Sequence, residues 1–197
     1  QWAIGLELAL HVYDPWRIYM TTDHPNGGPF TFYPQVVSWL MSRKARTEVM
    51  LDSNKSVMKR TTLSNVYREY DFGEVATVTR AATAKVLGLK RKGHLGPGAD
   101  GDVSVYDIDP TAWRPSMYKD LEKAFTKAAY TIKGGEIVVK GGEVVASPRG
   151  TTYWVDVKVP EEAEAELMKD LEAEFREHYT VNLNNYPVQD AYLPVQQ

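Results

Sequence analysis

The sequence predicts an α/β protein with one strand–loop–helix unit in its first half and a β-rich second half. The first observation is an apolar run over 17–22 that ends at a loop of prolines and glycines and precedes an amphipathic segment. The second is the glycine-rich link 93–101, after which alternating residues replace helical spacing. A strand, a polar loop and a helix in this order form the βα unit of an α/β barrel or a doubly wound sheet.

The elements predicted for the first half are a helix, a strand, a loop and a second helix. Residues 2–12 are helix-compatible, and Asp14-Pro15-Trp16 ends that helix because proline disfavours helical backbone in the residue before it. The run 17–22 is apolar almost throughout, as in a strand buried on both faces of a parallel sheet. Residues 23–30 are a loop, and Pro34 suits the first turn of a helix that runs to about Arg46.

Between this unit and the second half, residues 47–60 show weak periodicity and many charges, which favours a connector. A helix is then predicted over 73–87. It stops at Gly88, because a residue that tolerates positive φ commonly ends a helix.

Short alternating segments separated by glycine pairs predict a β-meander in the second half. The predicted strands are 103–105, 130–133, 136–139, 143–145 and 151–158, with helices over 117–128 and 161–179. The tail from Val181 is loop-like, and we expect it to lie on a neighbour. A single βα unit cannot close a barrel, which needs eight strands and about 250 residues. We therefore expect the natural chain to start well upstream, or another chain to supply the missing strands.

Composition excludes several classes of function. The chain has 23 basic and 26 acidic residues, so its net charge of −3 offers no basic stripe for a nucleic-acid backbone. It contains no run of the roughly 20 apolar residues needed for a membrane span and no signal-peptide pattern, so we expect a cytoplasmic protein. It has no cysteine, which excludes thiolate-bound iron–sulfur clusters and disulfides within this sequence. Electron transfer would have to take place in another polypeptide.

Asp23 is the main candidate for chemistry, because it follows the predicted strand at the end where α/β barrels place catalytic groups. A carboxylate there can bind a cation and accept a proton from metal-bound water. The alternative is an aspartate that only starts a turn, helped by Asn26-Gly27. His24 is a candidate for metal or substrate binding, or simply a loop residue beside proline. Asn26 is a further candidate for substrate binding.

The other polar motifs predict structure more than chemistry. His11, His94 and His178 have no metal-ligand spacing, so further metal ligands would have to lie elsewhere. The glycine-rich stretch 93–98 lacks the Gly-Lys-Ser/Thr ending of a phosphate loop, and Pro97 removes an amide donor. Asp100-Gly101-Asp102 is too short for a calcium loop.

The stretch 79–89, Thr-Arg-Ala-Ala-Thr-Ala-Lys-Val-Leu-Gly-Leu, and the stretch 92–107 resemble the C-terminal signature of the amidohydrolase superfamily. One departure is Gly101, where that family usually has alanine. The resemblance implies the last βα unit of a TIM-like barrel, a small β-sandwich whose later strands include 133–145, and a C-terminal helix. The corresponding domains are 1–90 for the barrel end, 91–158 for the sandwich and 159–197 for the helix and tail.

Three further stretches resemble the A-subunit family of formylmethanofuran dehydrogenases: residues 14–17, residues 21–30 and residues 182–188. The resemblance implies that Asp23 matches the aspartate after the eighth barrel strand, which serves a binuclear zinc centre as metal ligand and catalytic group. The histidine ligands and the carboxylated lysine expected from earlier strands have no counterpart in this sequence.

The same resemblance implies a division of labour. A partner subunit with a tungsten or molybdenum pterin and iron–sulfur clusters reduces CO2 to formate, and the A subunit condenses formate with the amine of methanofuran. Asp23 would move the proton as the C–N bond forms and water leaves. The rival hypotheses are the homologous bacterial formyltransferase/hydrolase A subunit, which acts on a formylated cofactor, and a non-catalytic docking piece.

Overall fold

A computed structural model of the chain describes residues 2–153 and 158–179. These residues belong to two compact units, residues 1–148 and residues 149–197. The first unit combines helices with an antiparallel sheet, and the described part of the second contains one long helix. The mixture of helices and sheet confirms the α/β character that the sequence predicts.

The helical half of the first unit begins as predicted and then departs from the prediction. Helix α1 spans Trp2–His11. The single helix predicted from Pro34 to Arg46 is wrong, because two helices cover it: α2, Tyr33–Met41, and α3, Arg43–Leu51. Ser42 separates them with an extended backbone, and its Oγ accepts the amide of Ala45 at 3.1 Å. A side-chain oxygen in this position satisfies an amide that the first turn of a helix leaves free.

The connector predicted over 47–60 is also partly wrong. Helix α3 continues to Leu51, and a short helix α4, Lys55–Met58, follows. The Oδ1 of Asn54 accepts the amide of Ser56 at 2.8 Å and caps α4. Capping and local hydrogen bonds stabilise these turns. The turns therefore do not depend on a regular spacing of apolar residues, which is the pattern by which a helix is predicted from sequence.

The helix predicted over 73–87 is confirmed, with an irregular middle. It consists of α5, Phe72–Ala76, a π-helical turn, Thr77–Ala81, and α6, Ala82–Val86. A capping box between Asp71 and Glu74 starts it, and Gly88 follows its end at φ +70°.

The strand predicted over 17–22 is wrong. A 3-10 turn, Pro15–Arg17, precedes residues 18–22, which have no regular structure and pair with no strand in the described part of the chain, although Ile18 has extended backbone. Their neighbour is the π-helical turn, where the Val78 carbonyl accepts the amide of Met20 at 3.0 Å. Without a strand beside them, these residues form no ladder.

The meander is confirmed as a four-stranded antiparallel sheet in the order β1-β2-β3-β4. Its strands are β1, Val103–Val105; β2, Tyr130–Lys133; β3, Glu136–Lys140; and β4, Glu143–Val144. Helix α7, Tyr118–Thr126, connects β1 to β2, where 117–128 was predicted. Of the strand predicted over 151–158, residues 151–153 have no regular structure and 154–157 lie outside the described residues.

The described part of the second unit contains α8, Glu161–His178, which confirms the helix predicted over 161–179. The tail predicted from Val181 onward lies outside the described residues. The predicted division into three domains stays a prediction.

One apolar core joins α1, α2, the 63–70 loop, the irregular helix and α7. Two arginines at the edges of this core donate hydrogen bonds to backbone carbonyls. Arg46 is 2% exposed and donates to the carbonyls of Trp39 (2.6 Å) and Arg68 (2.9 Å). Arg68 in turn donates to the carbonyl of Val12 at 2.8 Å, near the end of α1. Carbonyls at helix ends lack intrahelical partners, so these contacts hold α1 and α2 in place.

No helix in residues 2–153 or 158–179 is both long and apolar enough to cross a membrane.

Candidate functional site

The candidate site is the turn of residues 23–27, which follows the irregular segment 18–22. Asp23 has a left-handed backbone, φ +51°, and its carbonyl accepts the amide of Gly27 at 2.8 Å. The amide of Asp23 donates to the Thr21 hydroxyl at 3.2 Å. Aspartate is among the residues that tolerate left-handed backbone best. Asp23 therefore does start a turn, and this position leaves a chemical role open.

Glycine is required at one of the two positions that close the turn. A Cβ on Gly27 would lie 2.7 Å from the Thr22 carbonyl oxygen, which is closer than real Cβ atoms come. A Cβ on Gly28 would meet the Trp2 ring at 3.5 Å, an ordinary contact. The backbone at Gly27 therefore approaches the start of the turn too closely for any side chain.

The turn is anchored on its far side by α1. The indole Nε1 of Trp2 donates to the Gly27 carbonyl at 3.1 Å. The Trp2 ring packs edge-to-face on Trp39 of α2, with centroids 6.1 Å apart and planes at 71°. The near side is anchored by the Met20–Val78 hydrogen bond and by Thr22, which is 3% exposed.

The three predicted site residues lie together on this turn, and all three are exposed. In the described part of the chain, the Asp23 carboxylate has no hydrogen bond or ion pair. The His24 ring packs against Phe30, with centroids 4.9 Å apart. An exposed carboxylate without a protein partner, on a turn fixed at both ends, can bind a ligand or exchange a proton with one.

The described residues alone do not fit a binuclear zinc centre. Within 2–153 and 158–179, no group of three or more His, Cys, Asp or Glu side chains is close enough to hold a metal ion. The histidines at other positions make local contacts instead: His94 Nε2 lies 3.0 Å from the Lys90 carbonyl, and His178 Nδ1 lies 3.4 Å from Glu174. On this turn, Asp23 and its neighbour His24 could each supply one metal ligand, which is fewer than a metal site needs.

A second polar cluster, which the sequence did not predict, lies in the glycine-rich link. The ammonium of Lys92 contacts Asp102 and lies 2.8 Å from Asp100. Asp102 also accepts the Gly134 amide at 2.8 Å and faces Lys133 at 3.3 Å. This Lys92–Asp102 cluster ties the link to the β2–β3 hairpin. The only sequence signal was a close spacing of lysine and aspartate around glycines.

The Lys92–Asp102 cluster perturbs the titration of both residues. The ammonium of Lys92 and the amide of Gly134 lower the pKa of Asp102 to about 2. Hydrogen bonds to Asp100 and Asp102 raise the pKa of Lys92 above its usual range. Opposite charges favour the ionised form of each group, so the cluster stays charged at neutral pH.

Comparison with known proteins places this geometry in a family. Residues 6–139 match the Amidohydrolase family. Over 194 residues, or 98% of the chain, the sequence is 50% identical to "Protein FwdA" of Methanocaldococcus jannaschii, covering 34% of that protein. It is 40% identical over the same share to the A subunit of the formyltransferase/hydrolase complex Fhc of Methylorubrum extorquens, covering 33% of it.

A solved structure is similar as well. It is the crystal structure of the formyltransferase/hydrolase complex FhcABCD from Methylorubrum extorquens in complex with methylofuran. The match has a TM-score of 0.72 and 38% identity, and it covers 98% of this chain and 33% of that one. The chain thus spans about a third of the length of the relatives it matches. The predicted resemblance to A subunits of formylmethanofuran dehydrogenase is confirmed, and the match over 6–139 shows that the chain belongs to the amidohydrolase family.

Proposed function

We propose that this chain carries the Asp23 part of the active site in an amidohydrolase-type A subunit of a formylmethanofuran dehydrogenase. The observation that supports this most is the Asp23 carboxylate, which is exposed and unpartnered among the described residues on a turn anchored at both ends. The similarity to Protein FwdA supports the choice of substrate.

The proposed reaction joins formate to the primary amine of methanofuran. The amine, which starts as the ammonium ion, first gives up one proton, and its nitrogen then attacks the formate carbon. A C–N bond forms, the nitrogen loses a second proton, one C–O bond breaks, and the formate oxygen leaves as water carrying two protons. Asp23 would accept a proton from the nitrogen and return it to the departing oxygen, a role that needs direct hydrogen-bond reach. His24 and Asn26 lie on the same turn and would contact the substrate.

Zinc remains part of the proposal only as a prediction from the resemblance. A zinc ion held partly by Asp23 would polarise the formate carboxylate. The described residues do not supply the rest of its ligands, so the proposed bond changes and proton transfers are assigned without the zinc ion.

The proposed architecture and partners follow the same resemblance. We propose that the helical half forms the end of a TIM-like barrel and that the four-stranded sheet belongs to a β-sandwich. We propose further that cytoplasmic partner subunits carry the tungsten or molybdenum pterin and the iron–sulfur clusters. The lack of cysteine in this sequence supports placing those clusters elsewhere.

A second candidate is a component of a formyltransferase/hydrolase complex that hydrolyses a formylated methanofuran-type cofactor. The 40% identity to the Methylorubrum extorquens protein and the similar solved structure favour it. Elemental analysis of the purified complex separates the two. Copurified tungsten or molybdenum would contradict the hydrolase, and a complex without either metal and without iron–sulfur clusters would contradict the dehydrogenase.

The test of Asp23 is Asp23→Asn in the complete native polypeptide, assembled with its partners. General acid–base catalysis typically contributes about 100-fold or more, so we expect turnover of formate and methanofuran to fall at least that far. Assembly should not change. Asp52→Asn is the matched control, because Asp52 is another exposed aspartate and lies outside the turn. Unchanged turnover in Asp23→Asn would leave only the non-catalytic docking role.

A further inference from the structure

We propose that Trp2 is a positioning residue that fixes the Asp23 turn from outside the loop. The inference rests on the proposed function, because it assumes that the orientation of Asp23 matters for turnover. It concerns a residue 21 positions earlier in the sequence, in a helix with no chemistry of its own.

The contact that supports it is the hydrogen bond from Trp2 Nε1 to the Gly27 carbonyl, 3.1 Å long. Among the described residues, Trp2 is the only side chain from outside the 21–27 segment that forms a hydrogen bond with the backbone of the turn. Inside the turn, Gly27 is bonded directly to Asp23 through its amide. The Trp2 bond therefore holds the residue that closes the ring containing Asp23.

Trp2 is itself held in place by packing. Its ring contacts Trp39, and the carbonyl of Trp39 accepts a hydrogen bond from the buried Arg46 at 2.6 Å. On the side of the turn, a Cβ added to Gly28 would lie 3.5 Å from the same indole ring, so the ring is close to the turn. A continuous series of contacts thus runs from the buried Arg46 through Trp39 and Trp2 to Gly27.

Losing the indole donor would affect the turn more than the core. The Gly27 carbonyl would lose its partner, and the far end of the turn would be held only by its bond to Asp23. A catalytic group must be held close to its productive orientation, and small displacements reduce turnover. The Asp23 carboxylate would then spend only part of its time in that orientation.

The first experiment replaces Trp2 with phenylalanine, which keeps an aromatic ring and removes the indole N–H. Hydrogen–deuterium exchange is measured over 20–30 in the complete polypeptide within its complex. One lost hydrogen bond corresponds to about a threefold to tenfold change in a local equilibrium, so exchange of the Gly27 amide should rise by that factor. Exchange around Tyr70, in the core, serves as the internal measure of folding and should not change. Trp16→Phe is the matched control, because Trp16 is 45% exposed and does not touch the turn.

The second readout separates positioning from a purely structural role. In Trp2→Phe, kcat should fall about threefold to tenfold while KM for formate changes less than twofold, since the substrate contacts remain. If Trp2→Phe does not assemble, Trp39→Phe is used instead, because it weakens the support of the indole and should raise exchange in the same segment. Unchanged exchange over 20–30 would overturn the positioning role. Raised exchange with unchanged kcat would also overturn it. Turnover in Asp23→Asn tells this failure from a failure of the proposed function: it is reduced if only the positioning role fails, and unchanged if the proposed function fails.

Discussion

Asp23 and Asp102 lie in two glycine-containing loops of the same unit, and their carboxylates have opposite surroundings. Asp102 accepts the Gly134 amide at 2.8 Å and contacts the ammonium groups of Lys92 and Lys133. The Asp23 carboxylate has no partner in the described part of the chain, although its backbone is fixed at φ +51°. At Asp102 the side chain holds the backbone, whereas at Asp23 the backbone holds the side chain. The difference separates a carboxylate used for stability from one that remains available to a substrate.

The largest loss of stability is expected from a substitution in the backbone turn that holds Asp23. Gly27→Ala would put a Cβ 2.7 Å from the Thr22 carbonyl oxygen, and we expect the free energy of unfolding to fall by about 1–3 kcal/mol. Gly28→Ala makes only an ordinary contact and should change it by less than about 0.5 kcal/mol. Chemical denaturation of both variants measures the difference. Equal stability in the two would mean that the turn readjusts freely.

Neutralising each carboxylate should sharpen the comparison. Asp102→Asn turns an amide toward Lys92 and removes charge-assisted hydrogen bonds, and we expect it to cost about 1–2 kcal/mol of unfolding free energy. Asp23→Asn removes no contact within the described residues and should change stability by less than about 0.5 kcal/mol. Thermal and chemical unfolding of the two variants at neutral pH provide the measurement. A large loss of stability in Asp23→Asn would show that its carboxylate has a structural partner.

Acid should reduce the stabilising effect of Asp102. Its pKa in the folded chain is lowered from 3.8 to about 2, so its contribution is complete above about pH 4 and disappears as pH falls through about 2. Other carboxylates titrate in the same range, but they are shared by the wild type and Asp102→Asn. The stability gap between these two proteins should therefore close between about pH 4 and pH 2. Unfolding curves across that range test this, and a constant gap would contradict the low pKa.

The smallest effect is expected at the edge of the Lys92–Asp102 cluster. The side chain of Lys133 is 47% exposed and 3.3 Å from Asp102, whereas that of Lys92 is 19% exposed and contacts both aspartates. Exposed ion pairs contribute little, so Lys133→Met should cost less than about 0.5 kcal/mol. Lys92→Met should cost more, because it leaves two carboxylates side by side. A reversed order in denaturation experiments would place the main support of Asp102 at Lys133.

Much of the fold could be predicted from local patterns. The hairpins, the helices over 161–179 and 73–87, and the stop at Gly88 follow from alternation, helical spacing and glycine conformation. The break at Ser42 was missed because the helical spacing of apolar residues gives no sign of it: Val36, Val37, Leu40 and Met41 fit one continuous helix. The cap that ends this pattern depends on the single hydroxyl of Ser42. The strand over 17–22 failed for a different reason. Strand composition indicates extended backbone, but a ladder needs a neighbouring strand, and here the neighbour is a helix.

The common position of the candidate residues on one turn could be predicted, but the hydrogen bond that supports the turn could not. Asp23, His24 and Asn26 are adjacent in sequence, so their position on one turn needed no tertiary information. The hydrogen bond from Trp2 joins residues 25 positions apart and has no sequence signal. Gly101 is a similar case: a Cβ there would lie 2.8 Å from the Gly135 amide nitrogen, a close approach that only the packed hairpin reveals.

The π-helical turn over Thr77–Ala81 affects how the helix tolerates changes in length. Each residue of an α-helix turns by about 100°, so a wider turn shifts the phase of everything after it. Val75 before the wider turn, Val78 within it and Ala82 after it are all buried, which fixes that phase against the core. The wider turn also coincides with the Val78 carbonyl that receives Met20. A one-residue deletion here would restore ordinary helical winding and leave α6 facing the core in nearly the same phase, because five residues of the wider turn cover about the same rotation as four α-helical residues. It would, however, remove the wider turn that supports the segment leading to Asp23.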